Sequence, residues 1–391
     1  MTQQTIVWIA GTGWDAVPGT DKRLVQALPP DQHVLWIDPP VPVRNMKGLA
    51  ALTSAGKSPD AVAQNVLRVK VSALPGVTRF GVRRVTGVLL SRTIRRALSG
   101  SGRRASAVVV AFPLARFPQW ADTQKILYVT DDWLGGSSLM GFSRNEVKRV
   151  LVKNLREAHN VAAVSEYLSS ELRQIRLLRE DEGPEPPFTL LPNGCQEAER
   201  TGLQSDPQPI AGLVGQLNER LDLDVLEAVQ AKGVRIMVIG PRADRDPEFG
   251  RRLDRFLAAA NVQWLGRVAP EDLAFHLRQL GVGLTPYADT RFNRASFPLK
   301  TLEYLAAGVP VVSTDIPAAR WLSTEHVEIS ATPQTFARNV VHALSKPADL
   351  IQRQQCRDFA ANHSWAMRAR QFLDLLEAGS RNQALLGPKE S

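Results

Sequence analysis

The chain has 391 residues, enough for two domains that each bury a full core. With 44% hydrophobic and 22% charged residues, its composition is that of a globular protein and excludes a largely disordered or fibrous chain. The formal net charge of +9 favours an anionic partner, such as nucleic acid, a phosphorylated substrate or an anionic membrane surface.

Cysteine use and hydropathy predict the compartment. Cys195 and Cys356 have neither metal-ligand nor redox spacing, which favours a reducing compartment, the cytoplasm. We expect no signal peptide, because the first strand follows the first few residues directly. We expect no transmembrane helix either, because no apolar run is long enough to span a bilayer.

The first predicted elements open a doubly wound α/β domain. A buried strand, Thr5–Ala10, leads through a glycine turn into a helix over Gly19–Leu28. The turn is not a dinucleotide fingerprint, since Ala16 stands where the third glycine belongs. Gly13 and Trp14 are candidates for the acceptor side of a site, and a plain tight turn is the alternative.

The segment 79–104 carries eight arginines and no acidic residue, with apolar residues among them. This basic amphipathic pattern predicts contact with an anionic membrane surface. The alternative is a helix that packs on its own domain and leaves its arginines in solvent. We do not predict nucleic-acid binding, because no recognised binding motif accompanies the charge.

Two adjacent carboxylates follow the buried strand Lys125–Thr130. Asp131 and Asp132 therefore lie at the carboxyl end of a parallel strand, where such folds bind ligands. Adjacent residues on a strand point in opposite directions, so only one of the two can face a ligand. That residue is a candidate general base, and capping of the following loop by one aspartate is the alternative.

A second α/β unit follows a charged, proline-rich break at 179–187. The strand Ile210–Gly215 ends in a glycine, and Arg220 precedes the next helix. A strand, a glycine and a basic residue at a helix start predict a phosphate site. Asp222 is expected to cap the helix or hold the loop.

The stretch 297–314 reads as a turn, a helix, a glycine stop and a buried strand. Pro298 suits the first helical turn, and Gly308 suits the position after the helix. Lys300 in the first turn opposes the helix dipole unless an anion binds there. Glu303 shares a helix face with Lys300, so an ordinary exposed Lys–Glu pair is the alternative.

Taken together, Pro298-x-Lys300-x-x-Glu303-Tyr-x-Ala-x-Gly-x-Pro-Val-Val resembles the donor-site signature of GT-B glycosyltransferases, nearest to the retaining family-4 group. The resemblance implies that Glu303 binds the ribose of a nucleotide-sugar and that Lys300 contacts phosphate or sugar. It adds the neighbours Phe297 and Leu299 to the donor site, because backbone N–H groups hold the diphosphate in that family.

Three other stretches extend the resemblance. Gly215 and Arg220 match the family's phosphate loop, where Gln216 replaces the usual arginine. Arg267 lies in a stretch that resembles the base-binding strand and loop. The strand end at Asp132 resembles Tyr-x-x-Ser-Asp of the inverting glucuronosyltransferase of xanthan synthesis, in which the aspartate is the base.

The implied fold class is α/β with GT-B architecture, two Rossmann-like domains that face each other across a cleft. We expect an acceptor domain over 1–183 and a nucleotide-sugar domain over 188–364. A helix that crosses back to the first domain, with a polar tail, is expected over 365–391. The second glutamate of the family-4 signature falls on Ala295. The resemblance therefore leaves retaining and inverting mechanisms open, with Asn293, Arg294 and Ser296 as polar substitutes.

The predicted function is transfer of a sugar from a nucleotide-sugar to a hydroxyl acceptor. We expect a lipid-linked or cell-surface glycan precursor as acceptor, at the inner face of a bacterial membrane. No cofactor is expected, since the nucleotide-sugar is a substrate, and no metal. A sugar-nucleotide epimerase of the same fold and a non-catalytic nucleotide-binding or scaffold protein are the alternatives.

Overall fold

The computed structural model describes residues 3–42, 59–73, 80–119, 123–137, 140–177, 185–196 and 207–385. The chain divides into two compact units. The first unit is Met1–Pro192 with Arg368–Ser391, and the second is Asn193–Met367.

The first unit contains an eight-stranded sheet with strand order β10-β9-β8-β7-β1-β2-β5-β4 and a short parallel pair, β3 with β6. Every neighbour pair in the large sheet is parallel except β4 with β5. The strands are β1 (Gln3–Ile9), β2 (Val34–Ile37), β3 (Val41–Pro42), β4 (Asp60–Ala63), β5 (Val66–Val69), β6 (Ser72–Ala73), β7 (Arg103–Val110), β8 (Gln124–Val129), β9 (Asn160–Ala163) and β10 (Phe188–Leu190). The described helices up to the unit boundary are α1 (Thr20–Gln26), α2 (Phe80–Gly100), α3 (Arg144–Glu157) and α4 (Glu166–Leu177).

The second unit contains a six-stranded parallel sheet with strand order β13-β12-β11-β14-β15-β16. Its strands are β11 (Ile210–Val214), β12 (Arg235–Ile239), β13 (Val262–Trp264), β14 (Val282–Thr285), β15 (Val311–Thr314) and β16 (Val327–Ser330). The described helices are α5 (Leu223–Gln230), α6 (Pro247–Leu257), α7 (Pro270–Arg278), α8 (Arg291–Ala295), α9 (Leu299–Ala306), α10 (Pro317–Leu322), α11 (Pro333–Ser345) and α12 (Leu350–Ala361). Alternating strands and helices around a parallel sheet make each unit an α/β domain, as predicted.

Apolar strand runs explain why both sheets are central layers. All five residues of β11 and all four of β15 are buried, as expected for parallel strands that are covered on both faces. Two side chains of α11, Phe336 and Val340, pack in the same core cluster as Leu213 of β11. The second unit therefore has its own hydrophobic core.

The first unit extends beyond the predicted boundary at residue 183. Phe188–Leu190 pairs in parallel with β9, with Phe188 opposite Val161, so these residues complete the first sheet. A three-residue strand directly after a proline-rich break is too short for its pattern to indicate which sheet it joins. Much of the break, residues 178–184, lies outside the described residues.

The last helix, α13 (Trp365–Leu385), begins in the second unit and continues in the first. Within the first unit, the Phe372 ring lies 5.3 Å from the Trp8 ring. Gln124 Nε2 donates to the carbonyl of Leu375 at 3.4 Å. These contacts anchor the helix to the sheet of the first unit.

The basic segment forms helix α2 and then the first residues of β7. Leu90, Ile94 and Leu98 are buried at a spacing of one helical turn, so this face packs on the protein. The exposed face carries Val88, 51% exposed, and Arg92. The helix therefore packs on its own domain through this buried face, as the alternative interpretation of the segment predicted. Arg79 and the side chains of Arg83 and Arg84 lie outside the described residues.

No helix among the described residues is long and apolar enough to cross a membrane.

Candidate functional site

The predicted donor residues lie at one edge of the second sheet. β11 is flanked by β12 on one side and β14 on the other, so the strand order reverses direction between β11 and β14. Open α/β sheets bind ligands at such a switch point, outside the carboxyl ends of the strands. Gly215 follows β11 directly, and Tyr287 comes two residues after β14.

The loop after β11 lies directly on the loop after β12. Gly215 N donates to the carbonyl of Ile239 at 2.9 Å. A Cβ atom on Gly240 would lie 1.8 Å from the carbonyl oxygen of Gly215, and Gly240 has φ +144°. Only glycine combines this conformation with so close an approach of two backbones. Gly240 therefore sets the position of the Gly215 peptide.

Replacing Gly240 by alanine should lower the free energy of unfolding by on the order of 3–6 kcal/mol, because a clash with backbone adds to the strain of positive φ. Gly233 is the matched control. It has φ +70°, and a Cβ atom at this position would meet no other atom within 4 Å, so Gly233→Ala should cost only about 1–2 kcal/mol. Urea titration of both variants measures the difference, and equal losses would contradict the proposed contact.

Helix α9 is fixed to this edge by Tyr304. The buried Tyr304 hydroxyl donates to the carbonyl of Gly212 and accepts from the N–H of Val214, both at 2.8 Å. Burial raises the pKa of Tyr304 well above its ordinary value, so the hydroxyl keeps the proton that it donates. The ring leaves no space for a side chain at Gly283, where a Cβ would lie 2.4 Å from ring carbon Cγ. In the sequence, Tyr304 reads only as an apolar residue of the buried face.

The start of α9 faces the Gly215 loop. Pro298 occupies the cap position rather than the first turn, and no side chain caps the helix. Lys300 Cε would lie 4.0 Å from a Cβ atom on Gly215, which places the first turn beside that loop. The N–H groups of a first turn and its positive dipole end attract anions.

Lys300 and Glu303 form an ion pair with 2.5 Å between Nζ and Oε2. Their side chains are 26% and 15% exposed, so the pair is more protected from solvent than an ordinary surface pair. The Lys–Glu pair that the spacing indicated is therefore present. It also brings a cation and a carboxylate to the start of α9.

Arg220 lies in the loop between Gly215 and α5. Its Nε donates to Oδ1 of Asn293 at 2.9 Å, and its guanidinium carbon lies 5.4 Å from the Tyr287 ring and 5.1 Å from the Phe292 ring. Its backbone N–H donates to Oδ1 of Asn218 at 3.1 Å. The arginine therefore has a defined position at the edge where β11 and β14 end.

Asp222 has the capping role that its position indicated. Its carboxylate accepts from the backbone N–H groups of Asp224 and Val225 at the start of α5. Asp246 caps α6 in the same way. Among the described residues, no group of three or more His, Cys, Asp or Glu side chains has the arrangement of a metal site.

Arg267 lies farther along the sheet edge, in the loop after β13. It is exposed, and Gly266 before it has φ +67°. The Gly266 carbonyl accepts from the N–H of Gly240 at 2.7 Å, and Trp264 Nε1 donates to the Gly240 carbonyl at 3.0 Å. The loop of Arg267 is thus tied to Gly240, the residue that positions Gly215.

Phe297 is positioned by Asn193, which is not among the predicted site residues. Asn193 Nδ2 donates to the Phe297 carbonyl at 2.9 Å, and Asn193 is buried. Near Asn193, the backbones of Cys195 and Ser364 pair as an isolated parallel β-bridge. Gly194 lies so close to the backbone of Trp365 that no side chain would fit there. No local pattern could indicate a contact between residues about 100 positions apart.

Ala295 is buried, and the side chains considered as substitutes for a glutamate there have other partners. Asn293 binds Arg220, and Arg294 Nε pairs with Asp289 at 2.5 Å on the surface. Ser296 Oγ donates to the carbonyl of Phe292 at 2.8 Å. Each of these side chains is held by protein groups, so the expectation that they replace the glutamate gains no support from their contacts.

In the first unit, Asp132 is buried and Asp131 is exposed. Asp132 Oδ1 accepts from the N–H groups of Leu134 at 3.1 Å and Gly135 at 2.9 Å. The capping that we considered as an alternative is therefore present.

Gly13 and Trp14 lie in the turn after β1. Trp14 is buried, and its ring lies 5.1 Å from that of Trp36. The backbone N–H of Trp14 donates to Asp38 Oδ1 at 2.9 Å. Asp38 also pairs with the buried Arg68 at 2.7 Å. The turn is thus a fixed structure with the Trp14 ring packed inside the unit, and the acceptor role of the two residues stays a prediction.

Comparisons with known proteins give a family match for part of the chain and a similar fold for nearly all of it. Residues 208–346 match the family described as Glycosyl transferases group 1. The Bacillus subtilis (strain 168) protein TuaH, which is named as a putative teichuronic acid biosynthesis glycosyltransferase, is 27% identical over 253 residues. That alignment covers 61% of this chain and 62% of TuaH, so the chain matches less than two thirds of this relative's length.

Solved structures are similar over nearly the whole chain. Sucrose-phosphate synthase from Thermosynechococcus elongatus has a TM-score of 0.70 at 15% identity, with 98% of this chain and 100% of that chain covered. Anabaena HepE in complex with UDP and glucose has a TM-score of 0.63 at 14% identity, with 96% and 100% covered. At these identities the similarity shows the fold, in which two parallel-sheet α/β domains follow one another. Residues 208–346 therefore match the model of the Glycosyl transferases group 1 family, and the chain as a whole has the GT-B fold.

Proposed function

We propose that the protein is a glycosyltransferase that moves a sugar from a nucleotide-sugar donor to a hydroxyl acceptor. The observation that carries the proposal is the set of groups at the carboxyl ends of β11 and β14. Two cations, Lys300 and Arg220, lie there with an uncapped helix start, and Glu303 follows one turn into the helix. This set suits a diphosphate with an attached ribose.

In the proposed donor complex, the diphosphate binds between the Gly215 loop and the first turn of α9. The N–H groups of that turn, Lys300 and Arg220 donate to phosphate oxygens. The Glu303 carboxylate accepts from the ribose hydroxyls. Arg267 and the backbone near it lie toward the base.

During transfer, the bond between the anomeric carbon and the diphosphate breaks, and its electron pair stays on the phosphate oxygen. Lys300, Arg220 and the helix start stabilise that charge. Asp132 of the first unit takes the proton of the acceptor hydroxyl as the new carbon–oxygen bond forms. A base that activates the acceptor for direct attack goes with inversion at the anomeric carbon, and an inverting transfer does not need the glutamate that Ala295 replaces. NMR of the product anomer tests this stereochemistry.

We propose that the two cations supply the charge that a metal ion would otherwise supply, so transfer needs no metal. Excess EDTA should then leave the rate unchanged. A rate that falls with EDTA and recovers on addition of Mg²⁺ or Mn²⁺ would contradict this part of the proposal.

The proposed acceptor is a lipid-linked or cell-surface glycan precursor. TuaH is named as a putative glycosyltransferase of teichuronic acid biosynthesis, and the similarity to it supports a polysaccharide acceptor. The structure of HepE with UDP and glucose makes UDP-sugars the first donors to test.

Incubation with a panel of nucleotide-sugars and glycan acceptors, followed by release of nucleoside diphosphate, tests the function. Acceptor-dependent release supports the proposal. Interconversion of the donor sugar without an acceptor would indicate an epimerase. Nucleotide binding without release in any combination would indicate a non-catalytic protein.

We also propose that the exposed face of α2 contacts an anionic membrane surface at the cytoplasmic side. Arg92, Arg95 and Arg96 lie on this helix outside its buried face, near the exposed Val85 and Val88. Each basic residue near such a surface contributes about 1 kcal/mol, so replacing all three arginines by alanine should weaken binding about 100-fold.

Sedimentation with vesicles of mixed phosphatidylglycerol and phosphatidylcholine measures this effect. The control variant removes the same charge from the second unit, through alanine at Arg251, Arg255 and Arg338. It should sediment like the wild type. Equal binding of both variants, or no sedimentation of the wild type, would exclude the proposed surface.

A further inference from the structure

Arg220 differs in its partners from the ion-paired arginines of the second unit. Arg242 pairs with Asp244 at 2.5 Å, and Arg252 pairs with Glu227 at 2.8 Å. Each of these guanidinium groups is neutralised by a carboxylate. Arg220 is held by an amide oxygen and two aromatic rings, all of them uncharged.

Uncharged partners fix the side chain without neutralising it. The hydrogen bond at Nε sets the direction of the guanidinium, and the rings of Tyr287 and Phe292 limit its movement. Within the part of the chain that the structure describes, the two terminal nitrogens of Arg220 make no hydrogen bond or ion pair. A planar fork with these donors suits two oxygens of one phosphate group.

Asn293 is the side chain that makes this arrangement possible. It is 1% exposed. Its side-chain amide makes hydrogen bonds to both of the loops that meet at Arg220. Its Oδ1 accepts from Arg220 Nε, and its Nδ2 donates to the Arg220 carbonyl at 2.9 Å and to the Ala288 carbonyl at 2.8 Å. The same amide thus holds both the backbone and the side chain of Arg220.

The position of Asn293 is itself well determined. Its N–H donates to Thr290 Oγ1 at 3.2 Å, the cap of the short helix α8. The Ala288 N–H donates to the Arg220 carbonyl at 2.9 Å, which ties the loop after β14 to the loop after β11. Asn293 therefore connects the two strand ends that border the proposed diphosphate site.

We propose that Asn293 is a positioning residue that presents an uncompensated Arg220 to the donor diphosphate. This inference rests on the proposed function, and it concerns a residue that acts only through Arg220. An aspartate at this position would still accept from Arg220 Nε, but its charge would neutralise the arginine. It would also lose the two N–H groups that donate to the carbonyls of Arg220 and Ala288.

The test is a double-mutant cycle with isothermal titration of inorganic pyrophosphate and of the tightest-binding nucleoside diphosphate. Arg220→Ala should weaken both ligands about 10- to 100-fold, and Asn293→Ala about 5- to 30-fold. With Arg220→Ala already present, Asn293→Ala should add less than about two-fold. Asn293→Asp should bind no better than Asn293→Ala.

Asn261 provides the matched control. Its Nδ2 also donates to two backbone carbonyls, those of Gln230 at 3.0 Å and Val234 at 2.7 Å, but it lies at the amino end of β13. Asn261→Ala should lower the melting temperature as Asn293→Ala does and leave both dissociation constants unchanged.

The outcomes separate the two proposals. If the wild type binds neither ligand, the proposed function fails and the inference with it. If Arg220→Ala weakens binding but Asn293→Ala behaves like Asn261→Ala, only the positioning role is overturned. Independent, additive losses at Arg220 and Asn293 would also overturn it.

Discussion

Replacing Asp132 by asparagine should lower kcat about 10²- to 10⁴-fold, the range that a general base contributes. The amide oxygen of asparagine can still accept from the N–H groups of Leu134 and Gly135, as Asp132 Oδ1 does at 3.1 and 2.9 Å. The loop cap therefore survives while the proton acceptor is lost. Initial rates with saturating donor and acceptor measure the effect.

Two further variants separate the base from the cap. Asp131→Asn changes an adjacent, exposed carboxylate and should keep near wild-type kcat. Asp132→Ala removes both functions and should also lower the melting temperature. If Asp132→Asn retains full activity while Asp132→Ala unfolds more readily, Asp132 is only a loop cap and another group must be the base.

Replacing Glu303 by glutamine should weaken binding of a nucleoside diphosphate about 10- to 100-fold. Hydrogen bonds to a charged group contribute about 1.5–3 kcal/mol, and glutamine has no charge and only one acceptor oxygen where glutamate has two. A ribose and a 2′-deoxyribose nucleoside diphosphate should differ in affinity for the wild type and much less for Glu303→Gln. Isothermal titration of both ligands gives this comparison directly.

Pyrophosphate distinguishes the ribose contact from the phosphate contact. Because Glu303 pairs with Lys300 at 2.5 Å, its removal leaves Lys300 without that carboxylate, and pyrophosphate should bind as tightly as before or more tightly. Lys300→Met should weaken both ligands. Glu328→Gln, an exposed carboxylate on β16, is the control and should change neither affinity. Equal ribose discrimination in the wild type and Glu303→Gln would rule out the ribose role.

The sequence predicts the class of fold and the edge of the sheet at which the proposed site lies. Parallel strands that are covered on both faces read as continuous apolar runs, and β11 and β15 are of this kind. Polar and glycine residues directly after such runs, including Gly215 and Asp132, then fall at the carboxyl edge by geometry alone. The same reasoning predicts Asp222 as a cap, because a cap depends on neighbours in the chain.

What depends on distant neighbours could not be predicted. Arg220 and Asn293 are separated by 73 positions, and no periodicity indicates that an amide would hold the arginine. Tyr304 reads as one apolar residue of a buried face, yet its hydroxyl makes hydrogen bonds to the backbone of Gly212 and Val214 in β11. For α2, the pattern of arginines indicates a charged face, but only packing decides that Leu90 and Ile94 are buried while Val88 is exposed.

A crystal structure of the chain with its tightest-binding nucleoside diphosphate tests the central claim most directly. We predict phosphate oxygens at hydrogen-bond distance from Lys300 Nζ and the terminal nitrogens of Arg220, and ribose hydroxyls on the Glu303 carboxylate. A nucleotide bound elsewhere, with the Lys300–Glu303 pair unchanged and no phosphate at the start of α9, would contradict the proposed donor site.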